Sequence, residues 1–382
     1  MDTRKILLVT NDLGPHAGGI ESFILGLLGQ MDGSQIVIYT SSEKGEEEFD
    51  AFLASKYGVT VVRDRAKVLL PTPRVNRSVA RVMKEYGCEY IWFGAAAPLG
   101  WMSGHLRRKG AKRIVTLTHG HEVWWSKLWP FSAIMKIMAK QMDAIGYLGE
   151  FTKRAMVRAV GESVVFTRIA PGISTQHFTP GEKSLALAKE LGVENKKVIV
   201  CVGRLVHRKG QDRLIQSMPE ILKRVPEAIL LIVGEGPRRE VLEKLVAQCG
   251  VSESVRIVGR LSYDLLPEVI RLGDVFAMPS RSRFFGLEVE GLGIVYLEAS
   301  SCGVPVIAGA SGGAPDAVLE GETGLVVDGN NLQAIADSVV RVLEDKKLHD
   351  RMSQRGRAWA VEEWNWEVWG ERFNEMLLGE KS

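Results

Sequence analysis

Short apolar runs, each closed by glycine or polar positions, recur along the whole chain. They fall at 6–10, 35–40, 90–93, 114–118 and 144–148, then at 198–202, 229–233, 255–258, 275–278, 304–308 and 324–327. A run of this length with no polar interruption predicts a strand buried on both faces. Between the runs, over 19–28, 77–86, 211–224, 238–248 and 332–343, apolar residues repeat at helical spacing. Strand and helix in alternation predict doubly wound parallel sheets, an α/β fold.

The alternation continues on both sides of Ala170-Pro171-Gly172-Ile173, with Pro180-Gly181 close behind. That Pro/Gly segment reads as a linker, and 382 residues exceed what one core usually fills. The expected organisation is a domain over 1–170, a second over 171–363 and a crevice between them. The end of the chain, from Trp359 to Leu378 with Trp364, Trp366 and Trp369, is aromatic and helix-prone. A helix over about 364–382 is expected to pack back on the first domain. Glu46-Glu47-Glu48 reads as a solvated loop or a helix start.

Composition narrows the function classes. Hydrophobic content of 46% and charged content of 25% are those of a soluble globular protein. A net charge of +3 is too small to suggest a nucleic-acid partner. The four cysteines stand far apart with no CxxC pair, so they read as reduced thiols packed as small apolar groups. No apolar segment reaches bilayer-spanning length, and the expectation is a cytoplasmic protein, at most peripheral to a membrane.

Glu290 and Glu298 are separated by seven residues, with Gly291 and Gly293 just before a helix-prone stretch. If a helix opens at Gly293, Glu298 lies inside it and Glu290 on the loop leading in, while the unpaired N–H groups of Ile294 and Val295 offer an anion site. Arg204 and Lys209, in Gly203-Arg204-Leu205-Val206-His207-Arg208-Lys209-Gly210, follow a strand, where ligands of open α/β sheets bind. A planar fork and a point charge suit a diphosphate. Gly18-Gly19 closes the loop after the first strand, which also carries Asn11 and Asp12; it is not a GxGxxG fingerprint, which disfavours a nicotinamide enzyme. Thr118-His119-Gly120-His121-Glu122 raises a metal site, but its spacing is not His-Glu-x-x-His. No metal and no cofactor is therefore expected, and a ligand's phosphate charge would be met by protein groups.

Taken together, Gly203-Arg204, Lys209-Gly210, Val233-Gly234-Glu235-Gly236, Pro279-Ser280, Glu290-x7-Glu298 and Cys302-Gly303-Val304-Pro305 resemble the retaining GT-B glycosyltransferases of family 4. Val9-Thr10-Asn11-Asp12, Thr118-His119-Gly120-His121-Glu122-Val123, the run from Leu287 to Ala299 and Ser311-Gly312-Gly313-Ala314-Pro315 are more closely similar to the bacterial mannosyltransferases of phosphatidylinositol mannoside synthesis. The resemblance implies two Rossmann-like domains facing each other across a cleft, with the acceptor on the first and the nucleotide sugar on the second. It implies transfer of mannose from GDP-mannose to phosphatidylinositol monomannoside, a lipid acceptor. Arg204 and Lys209 would hold the donor diphosphate, helped by Gly18 or Gly19 and the amides near Ile294 and Val295. Glu298 would bind the ribose hydroxyls, Glu290 the sugar hydroxyls far from the anomeric carbon, and His119 the sugar near its reacting face. The base would lie against Val258-Gly259-Arg260-Leu261. Phe284-Phe285 depart from the pattern, which has smaller, glycine-richer residues there.

A lipid acceptor calls for a surface that meets the bilayer. Arg74, Arg77, Arg81 and Lys84 recur on one helix face with Val75, Val79 and Val82 on the others, a stripe that could lie on anionic headgroups or simply be solvated. Trp124, Trp125, Leu128, Trp129 and Phe131 could border the acceptor or belong to the core. Readings left open are a family 4 transferase with another nucleotide sugar or a soluble acceptor, and a nucleotide-sugar binding protein without turnover.

Overall fold

The computed structural model describes residues 4–14, 18–120, 129–161 and 164–380. Contacts divide the chain into two units, Met1–Gly172 with Trp366–Ser382, and Ile173–Asn365. In the first, β1 (Lys5–Val9), β2 (Ile36–Ser41), β3 (Thr60–Asp64), β4 (Cys88–Phe93), β5 (Arg113–Leu117), β6 (Ala144–Tyr147) and β7 (Val165–Arg168) form one parallel sheet in the order β3-β2-β1-β4-β5-β6-β7. Five of these strands are the apolar runs read from the sequence. The other two, β3 and β7, are the sheet's edges, half exposed and carrying Thr, Arg and Asp, so no unbroken apolar run marks them.

The period-2 alternation of a strand sorts the core into two faces. Leu7 and Val9 of β1 pack with Val75, Val79 and Val82 of α3 (Pro73–Glu85), as do side chains of α4 (Ser103–Arg108), α5 (Phe131–Ala139) and α6 (Glu150–Val160). Ile6 and Leu8 face the other way, onto Phe23, Ile24 and Leu27 of α1 (Gly19–Leu28) and Leu53 of α2 (Glu46–Tyr57). Glu46-Glu47-Glu48 is the first turn of α2, where carboxylates suit the positive end of the helix dipole. Helix α3 begins four residues before the periodic stretch, because Thr72 caps it by accepting from the Val75 amide at 3.3 Å and Pro73 follows.

The second unit repeats the architecture with β8 (Lys197–Val202), β9 (Ala228–Val233), β10 (Val255–Gly259), β11 (Val275–Met278), β12 (Val306–Gly309) and β13 (Gly324–Val327), parallel in the order β10-β9-β8-β11-β12-β13. The run at 304–308 starts its strand only at Val306, since Pro305 has no N–H to give a ladder. Helices α7 (Leu185–Glu190), α8 (Gln211–Arg224), α9 (Arg239–Gln248), α10 (Leu266–Leu272), α11 (Ile294–Ser301), α12 (Leu332–Glu344) and α13 (Lys346–Glu363) complete it.

The aromatic end is not one helix. It breaks at Trp364-Asn365, where the Trp364 carbonyl accepts from the Ile173 amide at 2.7 Å, and α14 (Trp366–Leu378) then joins the first unit. There Phe373 packs on Trp92 with ring centroids 4.6 Å apart, and the Met376 carbonyl accepts from Arg113 Nε and Nη2 at 3.1 and 2.9 Å. All four cysteines are free, three of them buried. Among the described residues no helix is long and apolar enough to cross a membrane.

Candidate active site

The candidate residues of the second unit stand where its strands end. After β8 the chain turns through Gly203 and Arg204 into Lys209, and Gly210 caps α8 in the left-handed region. Val233-Gly234-Glu235-Gly236 holds this turn: the Leu205 amide donates to the Glu235 carbonyl at 2.9 Å, and a Cβ at Gly236 would lie 2.4 Å from the Leu205 carbonyl oxygen. Arg204 is exposed, and among the described residues no ion pair joins it. Lys209 is buried and its Nζ lies 2.9 Å from Glu290 Oε2. Arg208, which sequence reasoning passed over as part of a basic loop, reaches the same oxygen with Nη1 at 2.6 Å. Lys209 and Glu290 are therefore in contact, 81 positions apart in sequence.

Gly293 opens α11 at φ 79°, and a Cβ there would lie 2.4 Å from the Tyr296 ring, so glycine is required twice over. Tyr296 donates to the Met278 carbonyl at 2.7 Å and meets Ser280 Oγ at 3.1 Å, tying the end of β11 to α11 through Pro279-Ser280. Glu298 lies inside α11 and is buried, with no hydrogen bond or ion pair to its carboxylate among the described residues. Burial pushes its carboxyl up to about 7, and the nearby Lys209 charge offsets only part of that. Val258 is half-buried and Arg260 exposed, beside Gly259, whose carbonyl accepts from the Gly234 amide at 2.7 Å. Tyr263, just beyond, stacks on His177 with centroids 4.6 Å apart; burial and the Glu298 charge push its phenol up to about 12.

The loop before Glu290 is anchored by a buried residue. Arg281 donates to Asp212 at 2.9 and 2.7 Å and lies 2.7 Å from His207 Nδ1. Burial opposes the Asp212 charge, but the Arg281 contact outweighs it and holds the carboxyl below its usual range. Phe284 takes φ 48°, a conformation glycine adopts without strain, and is exposed, with the Arg283 guanidinium 4.6 Å over its ring. The Phe285 side chain lies outside the described residues.

In the first unit the geometry is different. Both polar atoms of the Asn11 amide are bound to one residue, Nδ2 donating to the Leu69 carbonyl at 3.0 Å and Oδ1 accepting from its amide at 2.7 Å. Asn11 thus clamps the loop before α3. Asp12 borders a cavity of about 390 Å³ with Gly18, Gly19, Glu21 and Glu43. Gly18 caps α1 at φ −135°, and a Cβ on Gly18 or Gly19 would meet nothing within 4 Å, so neither turn geometry nor packing demands glycine. Asp12, Glu21 and Glu43 give this cavity an acidic border. His119 Nε2 lies 2.6 Å from the Gly94 carbonyl, and its ring meets Phe23 edge-on with centroids 5.7 Å apart. His121, Glu122, Trp124, Trp125 and Leu128 lie outside the described residues; Trp129 is 84% exposed and Phe131 opens α5 half-buried. Among the described residues no three His, Cys, Asp or Glu side chains are grouped to hold a metal ion.

The basic stripe of α3 needs one correction. Arg74 is tied to Asp64 of β3 by two bonds of 3.0 and 2.7 Å. Burial pushes the Asp64 carboxyl up, but Arg74, the Tyr39 hydroxyl and the Ala66 amide together hold it down at about 2. Arg77, Arg81 and Lys84 remain exposed, and with His105 and Lys109 they border a cavity of about 530 Å³. Val75, Val79 and Val82 are buried beneath them.

Residues 184–359 match the family described as glycosyl transferases group 1. The chain is 42% identical to the GDP-mannose-dependent alpha-(1-6)-phosphatidylinositol monomannoside mannosyltransferase of Mycolicibacterium smegmatis, over 98% of this chain and 99% of the relative. It is 40% identical to the GDP-mannose-dependent monoacylated alpha-(1-6)-phosphatidylinositol monomannoside mannosyltransferase of Corynebacterium glutamicum, over 99% of each. In structure it resembles HepE of Anabaena in complex with UDP, with a TM-score of 0.82 at 18% identity over 98% of this chain and 100% of that one. The fold is that of the GT-B glycosyltransferases.

Proposed function

We propose, from the premise that this chain belongs to the group 1 glycosyl transferases, that it transfers α-mannose from GDP-mannose to phosphatidylinositol monomannoside, forming the dimannoside with retention at the anomeric carbon. The observation that carries the reading is near full-length identity of 42% with a relative of that activity. The second unit's geometry supports the donor side. Arg204, Lys209 and the first amides of α11, Ile294 and Val295, supply positive charge for a diphosphate without calling on a metal. Glu298, buried with no hydrogen bond or ion pair among the described residues, is suited to accept hydrogen bonds from the two ribose hydroxyls. Glu290 would take the sugar hydroxyls, and the base would rest on Val258 and Arg260.

On this reading no protein nucleophile is needed. The leaving phosphate oxygen takes the proton of the acceptor hydroxyl while the new bond forms on the same face, so catalysis rests on positioning and on stabilising the diphosphate. His119, held by Gly94, would line the sugar's reacting side, and Asp12 the hydroxyl-rich acceptor. The acceptor's membrane is met at the cytoplasmic surface by Arg77, Arg81, Lys84 and Lys109. Support for this comes from an adjacent groove of about 460 Å³, where Trp101 and Ile137 set exposed apolar side chains beside those charges.

The test is incubation with radiolabelled nucleotide sugars and phosphatidylinositol monomannoside, followed by lipid extraction. Label in the dimannoside from GDP-mannose alone is expected. Label only in water-soluble product, or equal label from another nucleotide sugar, overturns the assignment.

A further inference from the structure

We propose that Arg208 is a positioning residue for the donor sugar, fixing the Glu290 carboxylate so that Lys209 can turn from it to the diphosphate. The proposal rests on the donor reading given above for Lys209 and Glu290. Both cations converge on one oxygen, Glu290 Oε2, at 2.6 and 2.9 Å. The other oxygen, Oε1, makes no hydrogen bond among the described residues and is left for a sugar hydroxyl.

Glu290 is only 6% exposed, and taking the sole partner from a buried carboxylate is costly. With two cations on one anion the cluster carries a surplus positive charge. A diphosphate can therefore draw Lys209 away while the carboxylate keeps a partner.

Arg208 rather than Lys209 is built to stay. Its carbonyl accepts from the Arg281 amide at 2.8 Å, and Arg281 is itself buried and clamped by Asp212. The Arg208 guanidinium reaches Glu290 through Nη1 at 2.6 Å, so an anchored main chain carries the cation that meets the carboxylate. The Glu290 backbone is held as well, its amide donating to Ser311 Oγ at 3.2 Å and its carbonyl accepting from the Gly313 amide at 2.9 Å. At Gly312, φ 56°, a Cβ would lie 2.1 Å from the Glu290 carbonyl oxygen, so the Ser311-Gly312-Gly313 turn sits flush against the glutamate. With the main chain fixed, the side-chain torsions are the freedom left, and Arg208 removes it.

The experiment compares affinities for GDP and GDP-mannose in the full-length protein and in Arg208→Gln, Arg208→Lys and Ser311→Ala. A positioning role weakens GDP-mannose by about tenfold in Arg208→Gln while GDP changes by less than about twofold. Arg208→Lys recovers part of the loss, and Ser311→Ala shows the same selectivity at smaller size. Equal loss of GDP and GDP-mannose would make Arg208 a diphosphate ligand and overturn the proposal, as would no loss of either. Should Arg208→Gln not fold, Arg208→Lys and Ser311→Ala still decide it, because equal effects on both ligands or none sink it. Lys209→Met tests the underlying reading separately: unchanged GDP affinity there refutes the diphosphate role of Lys209, whatever Arg208 does.

Discussion

At the strand ends of the second unit, one buried carboxylate, Glu290, is shared by two cations, and a second, Glu298, has no hydrogen bond or ion pair among the described residues. In the first unit the cavity beside α1 is bordered by Asp12, Glu21 and Glu43, the Asn11 amide is fully bound to Leu69, and His119 leans on the Gly94 carbonyl. One region concentrates paired charge on a single carboxylate oxygen. The other presents a hollow bordered by carboxylates. Sheets of the same type thus differ in how the side chains at their strand ends are satisfied rather than in topology.

That contrast can be broken by experiment. The largest effect is expected from Lys209→Ala, which should lower kcat by about 10²–10³-fold with an unchanged far-ultraviolet spectrum, as loss of a group stabilising developing charge does. Turnover within about threefold of wild type would remove the charge-exchange view of the second unit. Next comes Glu298→Gln, expected to weaken GDP-mannose by about tenfold at pH 8 in direct titration. Its effect on stability should have the opposite sign. A folded carboxyl at about 7, raised above its unfolded value, favours the fold while protonated, and that contribution is lost as pH rises through 7. Glu298→Gln should therefore melt above wild type at pH 8, with the gain gone near pH 5; a gain that does not change with pH would refute the burial argument.

Smaller effects separate the roles in the first unit. Asp12→Asn should raise the KM for the lipid acceptor about fivefold and leave that for GDP-mannose unchanged, by steady-state kinetics with each substrate varied. A change confined to the donor would reverse the assignment of the two regions. Smallest is the surface term. Neutralising Arg77, Arg81 and Lys84 together should reduce sedimentation with anionic vesicles, by roughly 1 kcal/mol per charge at low salt, while neutralising Arg74 alone should not. Equal losses would mean that the Asp64 pair does not withdraw Arg74 from the surface.

Much of the fold was legible because strands buried on both faces are mostly apolar runs. Strands β8, β9 and β11 could be read from their apolar runs alone, whereas β3 and β7, exposed at the sheet's edges, left no such trace. The helix start at Gly293 was legible for a local reason, a glycine ahead of a helical stretch. The contact between Lys209 and Glu290 was not, since it depends on two loops meeting at the ends of different strands. Arg208 left a weak signal, one cation beside another, which a solvated loop would give equally. At Trp364-Asn365 the aromatic pattern continues although one helix ends and the next begins.

The lone carboxylate of Glu298 has a calorimetric consequence. With its carboxyl at about 7, roughly half of the molecules hold a proton there at neutral pH. A ligand whose hydroxyls donate to the ionised form expels that proton into the medium. The heat of nucleotide binding should then vary with the ionisation enthalpy of the buffer, so that phosphate and Tris report different enthalpies for one event.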